Sequence, residues 1–146
     1  MLNDFLIGFI VSACTITIHA LVMTTVVRAA QAMRTQQVLH PAMRLTGVMI
    51  VTVGVLMAAH TAEVAVWALG YHVVGAAPEE ADLMYFAFVN YTTLGYGDVV
   101  PVAAWRLLGP MTAMNGVLLF GWSTAVIFAV LQRTMQIEAG DTSAKA

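Results

Sequence analysis

Residues 92–98, with the sequence TTLGYGD, form the stretch of this chain best suited to bind an ion. Gly95 and Gly97 stand at alternate positions, and glycine adopts backbone conformations with positive φ at little cost because it has no Cβ. Such an alternation turns successive backbone carbonyl groups toward the same side. We expect Thr93 to add a hydroxyl oxygen, and Tyr96 to point away and brace the segment by packing and a hydroxyl hydrogen bond. The pattern predicts that protein oxygens replace the hydration shell of a bound cation.

The composition indicates that this segment is held in a membrane. Of the 146 residues, 60% are hydrophobic and 10% are charged, and the mean hydropathy is +0.84. An average soluble domain has about 25% charged residues. We therefore expect residues 1–146 to form one domain in the cell membrane, surrounded by the lipid bilayer. A net charge of −2 without a basic stripe argues against nucleic acid as a partner, and a lone cysteine excludes an intramolecular disulfide.

Three apolar stretches predict membrane-spanning helices. They cover residues 5–27, 45–74 and 107–131, and each is longer than the roughly 20 residues that cross a bilayer as a helix. Residues 28–44 form a loop with three arginines and no acidic residue, which the positive-inside rule assigns to the cytoplasm. The N-terminus is then predicted to lie outside, and the polar tail, residues 132–146, in the cytoplasm.

A shorter apolar run precedes the glycine-containing segment. Residues 82–92 are predicted to form a helix that crosses only half of a membrane, at about 1.5 Å per residue. Asp82 stands at its start, where a carboxylate can accept hydrogen bonds from free N–H groups. Non-helical backbone at membrane depth is tolerated only inside protein or along a watery cavity. Residues 82–98 are therefore predicted to form a re-entrant helix and loop.

Residues 85–101, with the sequence YFAFVNYTTLGYGDVVP, resemble the pore region of bacterial potassium channels of the pore-loop, two-pore-domain-like ion-channel superfamily. The similarity covers the pore helix, the selectivity filter and the outer turn, and extends more loosely over residues 45–131. It implies that oxygens of five residues bind potassium, the permeant ion, and that two flanking residues support them. The implied ligands are Thr93, Leu94, Gly95, Tyr96 and Gly97, and the implied supports are Thr92 and Asp98.

The resemblance also implies an architecture. The fold would be all-α and transmembrane, with residues 45–74 as outer helix, 82–92 as pore helix, 93–98 as filter and 107–131 as inner helix. Because one chain supplies one quarter of the ion coordination, a homotetramer with fourfold symmetry is implied. Passive potassium conduction requires no cofactor and no enzymatic activity. The chain has no helix with arginines at every third position, hence no usual voltage sensor, and residues 132–146 are too few for a ligand-binding domain.

Several features depart from the common family pattern. Leu94 stands where valine is commonest, which the backbone carbonyl tolerates. Val89 stands where some channels have a glutamate that bonds to the filter aspartate. Tyr85 stands where a tryptophan often anchors that aspartate, and is a further predicted filter support. We therefore predict that Asp98 is held less tightly and that the filter is less stable. The helix over residues 5–27 has no counterpart in a minimal two-span pore.

Gly116 and Gly121 lie five residues apart on the last predicted span. They resemble glycines at which the inner helices of such channels bend during gating, and they are our candidates for a gating hinge. Glycine also lets two helices approach closely in a membrane. Both roles remain open for each of the two positions.

His60, Glu63 and Trp67 share one face of the second predicted helix, because their spacing is i, i+3 and i+7. Ionisable residues inside a membrane indicate function by default. We expect Glu63 to support the filter from behind by bonding to the pore helix, or to form a proton-sensitive pair with His60. A metal site would need further ligands, and none lies at helical spacing. His19, alone in the first span, is predicted to be packed or interfacial.

Three other functions compete with a potassium channel. A regulatory or structural subunit that does not conduct is disfavoured by the intact glycines. A membrane metalloenzyme built on His60 and Glu63 is disfavoured by the small number of ligands. A potassium-uptake transporter normally carries four degenerate filter-like loops in one long chain, whereas this chain has one good copy.

Overall fold

The computed structural model describes residues 2–32 and 41–143, and every regular element in this part of the chain is a helix. A 3-10 turn, Ala103–Trp105, precedes the last helix. The α-helices are α1 (Leu2–Ala32), α2 (Pro41–Val74), α3 (Leu83–Tyr91) and α4 (Leu108–Ser143). The predicted all-α fold is therefore confirmed for the described residues.

Three helical stretches are long and apolar enough to cross a membrane. They are Leu2–Ala32, Met43–Val74 and Ala103–Ile137. The prediction of three candidate membrane-spanning helices is confirmed. The chain is a multi-pass membrane protein by this criterion.

The first two helices extend beyond the predicted spans. α1 continues past residue 27 to Ala32, because Arg28 and the alanines and glutamine after it favour helix. α2 begins at Pro41 rather than at residue 45, since proline is accepted in the first turn, where its missing N–H costs nothing. The predicted loop thus shortens from both sides. Its centre, residues 33–40, lies outside the described residues.

The last helix corrects the prediction of a short tail after residue 131. α4 runs without a break to Ser143, because residues 132–139 contain no proline or glycine and several good helix formers. At about 1.5 Å per residue, its 36 residues reach about 54 Å. A hydrocarbon core is about 30 Å thick, so α4 projects well beyond it.

α1 packs against both α2 and α4 of its own chain, antiparallel to α2 and parallel to α4. Near the start of α1, a Cβ on Gly8 would overlap the side chain of Met111, and Val11 lies 3.0 Å from a Cβ built on Gly70. At the opposite end of the bundle, a cluster of buried apolar side chains joins the same three helices. It consists of Met23, Ala30, Leu56, Val126 and Val130. The start of α1, the end of α2 and the start of α4 therefore share one end of the bundle.

α3 is held between α2 and α4 at that end. Asp82 accepts hydrogen bonds from the N–H groups of Met84 and Tyr85, at 3.0 and 3.1 Å, and so caps the helix as predicted. Phe86 and Tyr91 are almost completely buried against α2 and α4. The nine residues of α3 cover about 14 Å, about half of a hydrocarbon core.

Candidate functional site

Residues 92–98 leave the end of α3 with an alternating backbone. Thr93, Gly95 and Gly97 have φ values of 60°, 59° and 79°, respectively. Positive φ was predicted for the two glycines, and the structure extends the alternation to Thr93. A β-branched residue in this region is an outlier that its surroundings must hold in place. The two-residue period therefore covers positions 93, 95 and 97.

Backbone hydrogen bonds hold the start of this segment against α3. The N–H groups of Leu94 and Gly95 both donate to the carbonyl oxygen of Val89, at 3.0 and 3.4 Å. In a planar trans peptide, each N–H points opposite to the carbonyl of the preceding residue, and no peptide bond among the described residues is cis. The carbonyls of Thr93 and Leu94 therefore both point away from Val89. Two successive carbonyl oxygens thus face the same side, as ion coordination requires.

The other end of the segment is anchored by a side chain. The Tyr85 hydroxyl donates a hydrogen bond of 2.6 Å to Asp98 Oδ2, and the N–H of Val99 donates to Oδ1 at 3.1 Å. Tyr85 therefore anchors Asp98 directly, although the loss of the usual tryptophan predicts a weaker hold. The bond from Tyr85 also keeps the pKa of the Asp98 carboxyl below its ordinary value.

Removal of this anchor gives a testable result. Tyr85→Phe is expected to raise the pKa of Asp98 toward its ordinary value of about 4. A carboxyl with a depressed pKa in the folded state stabilises that state above its unfolded pKa, and this contribution is lost as the pH falls through the folded pKa. In the variant, acid should therefore disorder the segment at a higher pH. Carbon NMR titration of Asp98 in both proteins measures the shift, and equal pKa values would rule out the anchor.

Every residue from 92 to 98 is exposed in the single chain. Leu94 is 53% and Tyr96 is 68% exposed. Tyr96 therefore does not pack among the helices of its own chain, and its bracing role stays a prediction. The reason is geometric, since α2 and α4 enclose α3 and leave the segment on the open side.

Gly116 lies where α4 crosses the end of α3. A Cβ on Gly116 would overlap the carbonyl oxygen of Tyr91, whereas a Cβ on Gly121 would meet nothing within 4 Å. Gly116 therefore serves close packing in this structure, and Gly121 has no such constraint. α4 is continuous through both positions. A hinge at either glycine stays a prediction.

Glu63 lies behind the end of α3 in a largely buried polar cluster. Its Oε1 lies 2.8 Å from His19 Nδ1, and its Oε2 lies 3.0 Å from His60 Nδ1. The hydroxyl of Tyr91 also donates to Oε2. Glu63 and His19 have no exposed surface. Glu63 thus bonds to α3 through Tyr91 and also contacts His60, so the filter-support and proton-sensitive alternatives both stay predictions.

The sequence missed His19 as a partner of Glu63. The two residues are 44 positions apart and lie on different helices, so periodicity along one helix cannot pair them. His19 is neither interfacial nor merely packed. A signal was present in the sequence nonetheless, because an ionisable residue inside a long apolar helix requires a polar partner.

Further polar contacts lie along the face of α2 that carries Glu63. His60 Nε2 lies 2.9 Å from the Ser123 hydroxyl on α4, so the cluster of Glu63 joins all four α-helices. One helical turn farther along α2, the indole N–H of Trp67 donates a hydrogen bond of 3.0 Å to Asn115 Oδ1. The hydroxyl of Thr15 on α1 donates to the same oxygen at 2.9 Å. Of these residues, Ser123, Asn115 and Thr15 were not singled out from the sequence. They fix the positions of the helices around α3.

Comparison with known proteins supports an ion-transport role for this region. A protein-family model described as "Ion channel" matches residues 59–133, just over half of the chain. The match spans the end of α2, all of α3, residues 92–98 and most of α4, while α1 lies outside it. Searches of curated proteins and of solved structures gave no match.

Proposed function

From the premise that this chain belongs to the ion channel family, we propose that it forms a potassium-selective channel. Potassium would cross the membrane passively, bound in turn by oxygens of residues 93–97. The side chain of Leu94 has no part in this coordination, since its backbone carbonyl is the ligand. Such conduction involves no catalytic step and no cofactor besides the permeant ion.

The observation that carries this proposal is the backbone of the segment. Positive φ at Thr93, Gly95 and Gly97 gives the two-residue alternation that turns carbonyls to one side, and the hydrogen bonds to Val89 set that side away from α3. Rings of such carbonyls replace the hydration shell of a cation. The C-terminal end of α3 adds a partial negative charge next to the segment, which favours a cation there.

Assembly of four chains follows from the same segment. One chain offers one carbonyl at each level, whereas a dehydrated ion needs several. The open side of residues 92–98, with Leu94 and Tyr96 largely exposed, cannot face lipid. Four copies around one axis would line a water-filled path with the carbonyls and cover Tyr96 by a neighbouring subunit. We therefore propose a homotetramer with α3 and residues 92–98 as re-entrant pore helix and filter.

The orientation follows from charge. The arginine-containing region between α1 and α2 is assigned to the cytoplasm by the positive-inside rule. The start of α1 and the start of α3 lie at the opposite end of the bundle, as the packing of Gly8 against α4 shows. We therefore propose that the N-terminus and Asp98 lie outside and that α4 ends in the cytoplasm.

The proposal predicts that potassium stabilises the assembly. Thermal unfolding of the purified protein in detergent should occur at a higher temperature in potassium chloride than in sodium chloride of equal concentration, because ions that bind only the folded tetramer stabilise it. Native mass spectrometry should give four times the chain mass. Equal unfolding temperatures in both salts, or a monomeric mass in every detergent, would contradict the proposal.

A further inference from the structure

The side chains of His19, His60 and Glu63 converge on one point between α1 and α2. One potential ligand atom from each lies within 4.8 Å of the other two. Both imidazoles face the carboxylate with Nδ1, at 2.8 Å from Oε1 and 3.0 Å from Oε2. The third potential ligand, His19, comes from α1 and therefore could not be found by helical spacing along α2.

The donor set matches the chemistry of zinc. Two imidazole nitrogens and one carboxylate are the protein ligands of many zinc sites. A tetrahedral zinc ion with bonds of about 2.0–2.1 Å holds its ligand atoms about 3.3 Å apart. The two histidine-to-carboxylate distances of 2.8 and 3.0 Å therefore need to open by only about half an ångström or less. Calcium and magnesium prefer oxygen ligands, which argues against them at this point.

Neighbouring groups complete such a site. The Tyr91 hydroxyl lies 2.9 Å from His60 Nδ1 and beside Glu63 Oε2. Its oxygen is therefore placed to be the fourth ligand of a tetrahedral ion. The Ser123 hydroxyl lies 2.9 Å from the other ring nitrogen of His60. A polar partner on the second nitrogen orients a metal-bound histidine.

Burial makes the cluster unusual for a purely structural contact. His19 and Glu63 are fully buried. Buried charges in proteins are paired or coordinate metals. A metal ion at the two Nδ1 atoms would pair with the buried Glu63 carboxylate.

We propose that His19, His60 and Glu63 bind a divalent transition-metal ion of the zinc class. The ion would fix α1 to α2 at the level of Tyr91, the last residue of α3. This site goes beyond the proposed conduction, and metal binding does not depend on it. A failure to bind metal therefore leaves the channel proposal untouched.

Metal content of the purified protein tests the site. Full-length protein in detergent is stripped with a chelator, incubated with Zn²⁺ in the presence of excess Mg²⁺, desalted and measured by inductively coupled plasma mass spectrometry. We expect one zinc ion per chain, and visible absorption bands of tetrahedral Co²⁺ when cobalt replaces zinc. Substoichiometric zinc in the wild-type protein overturns the proposal and leaves a plain hydrogen-bonded cluster.

Variants then locate the site. His19→Gln and His60→Gln should each weaken zinc binding by more than about tenfold, since loss of even an outer-shell partner costs about 10- to 100-fold. His72→Gln, at an exposed position on α2, is the matched control and should bind like the wild type. Wild-type binding by His19→Gln overturns the assignment. If that variant does not assemble, Ser123→Ala decides. We expect it to bind zinc more weakly than the wild type, and unchanged zinc binding would contradict the site.

Discussion

Gly95→Ala is expected to abolish potassium conduction while the protein still assembles into tetramers. Gly95 has a φ of 59°, and a Cβ there would come no closer than 3.9 Å to any neighbour, the Thr93 carbonyl oxygen. Steric packing within one chain is therefore not the obstacle. Alanine in the left-handed region costs roughly 1–2 kcal/mol, and this cost would recur in each subunit of the proposed tetramer. Relief of this strain would rotate the peptide groups on either side of residue 95 and remove their carbonyls from the ion path.

Potassium efflux from liposomes, with native mass spectrometry of the same preparation, measures this outcome. We expect a loss of at least about 100-fold in flux, because removal of a preorganised charge-stabilising group typically costs that much or more in rate. Gly54→Ala is the matched control, since a Cβ at Gly54 on α2 meets nothing within 4 Å. Normal flux through Gly95→Ala would show that the ion ligands are misassigned.

Gly116→Ala and Gly121→Ala are expected to have opposite effects on stability. The new methyl group at Gly116 would overlap the Tyr91 carbonyl, so α4 must move away from the end of α3. Overpacking of this kind costs typically about 1–3 kcal/mol per site. The displacement also loosens Tyr91, which bonds to Glu63. At Gly121 the methyl group enters open space, and alanine favours helix over glycine by up to about 1 kcal/mol in water.

Thermal unfolding of the two variants and of the wild type distinguishes a close-packing role of each glycine from a role as a hinge. Gly116→Ala should unfold several degrees lower, and Gly121→Ala at the wild-type temperature or slightly above it. Each variant is the control for the other, since both make the same chemical change on one helix. Equal unfolding temperatures would remove the close-packing role of Gly116. Reduced channel opening in Gly121→Ala alone would assign the hinge to that position.

The sequence predicted those features that depend on local pattern. The three long helices follow from the length of apolar stretches, and α3 follows from its shorter run between Asp82 and Thr92. The cap at Asp82 and the positive φ values of Gly95 and Gly97 follow from the chemistry of single residues. For these features, local stereochemistry is sufficient.

Features that join distant parts of the chain were not predictable in the same way. The contact between His19 and Glu63 depends on how α1 docks, which apolar periodicity does not specify when a helix is hydrophobic on all sides. The positive φ of Thr93 is imposed by hydrogen bonds from the following residues to Val89. The continuation of α4 past residue 131 was missed because a change from apolar to polar residues marks a membrane boundary rather than a helix end.

Cation-specific flux through the purified wild-type protein tests the central claim most directly. Liposomes containing the protein are loaded with either potassium or sodium as the only permeant cation, and efflux is followed under an imposed voltage and over a range of pH. We predict rapid potassium efflux and little sodium efflux. Equal flux of both ions, or no flux of either under any condition, would contradict a potassium-selective channel.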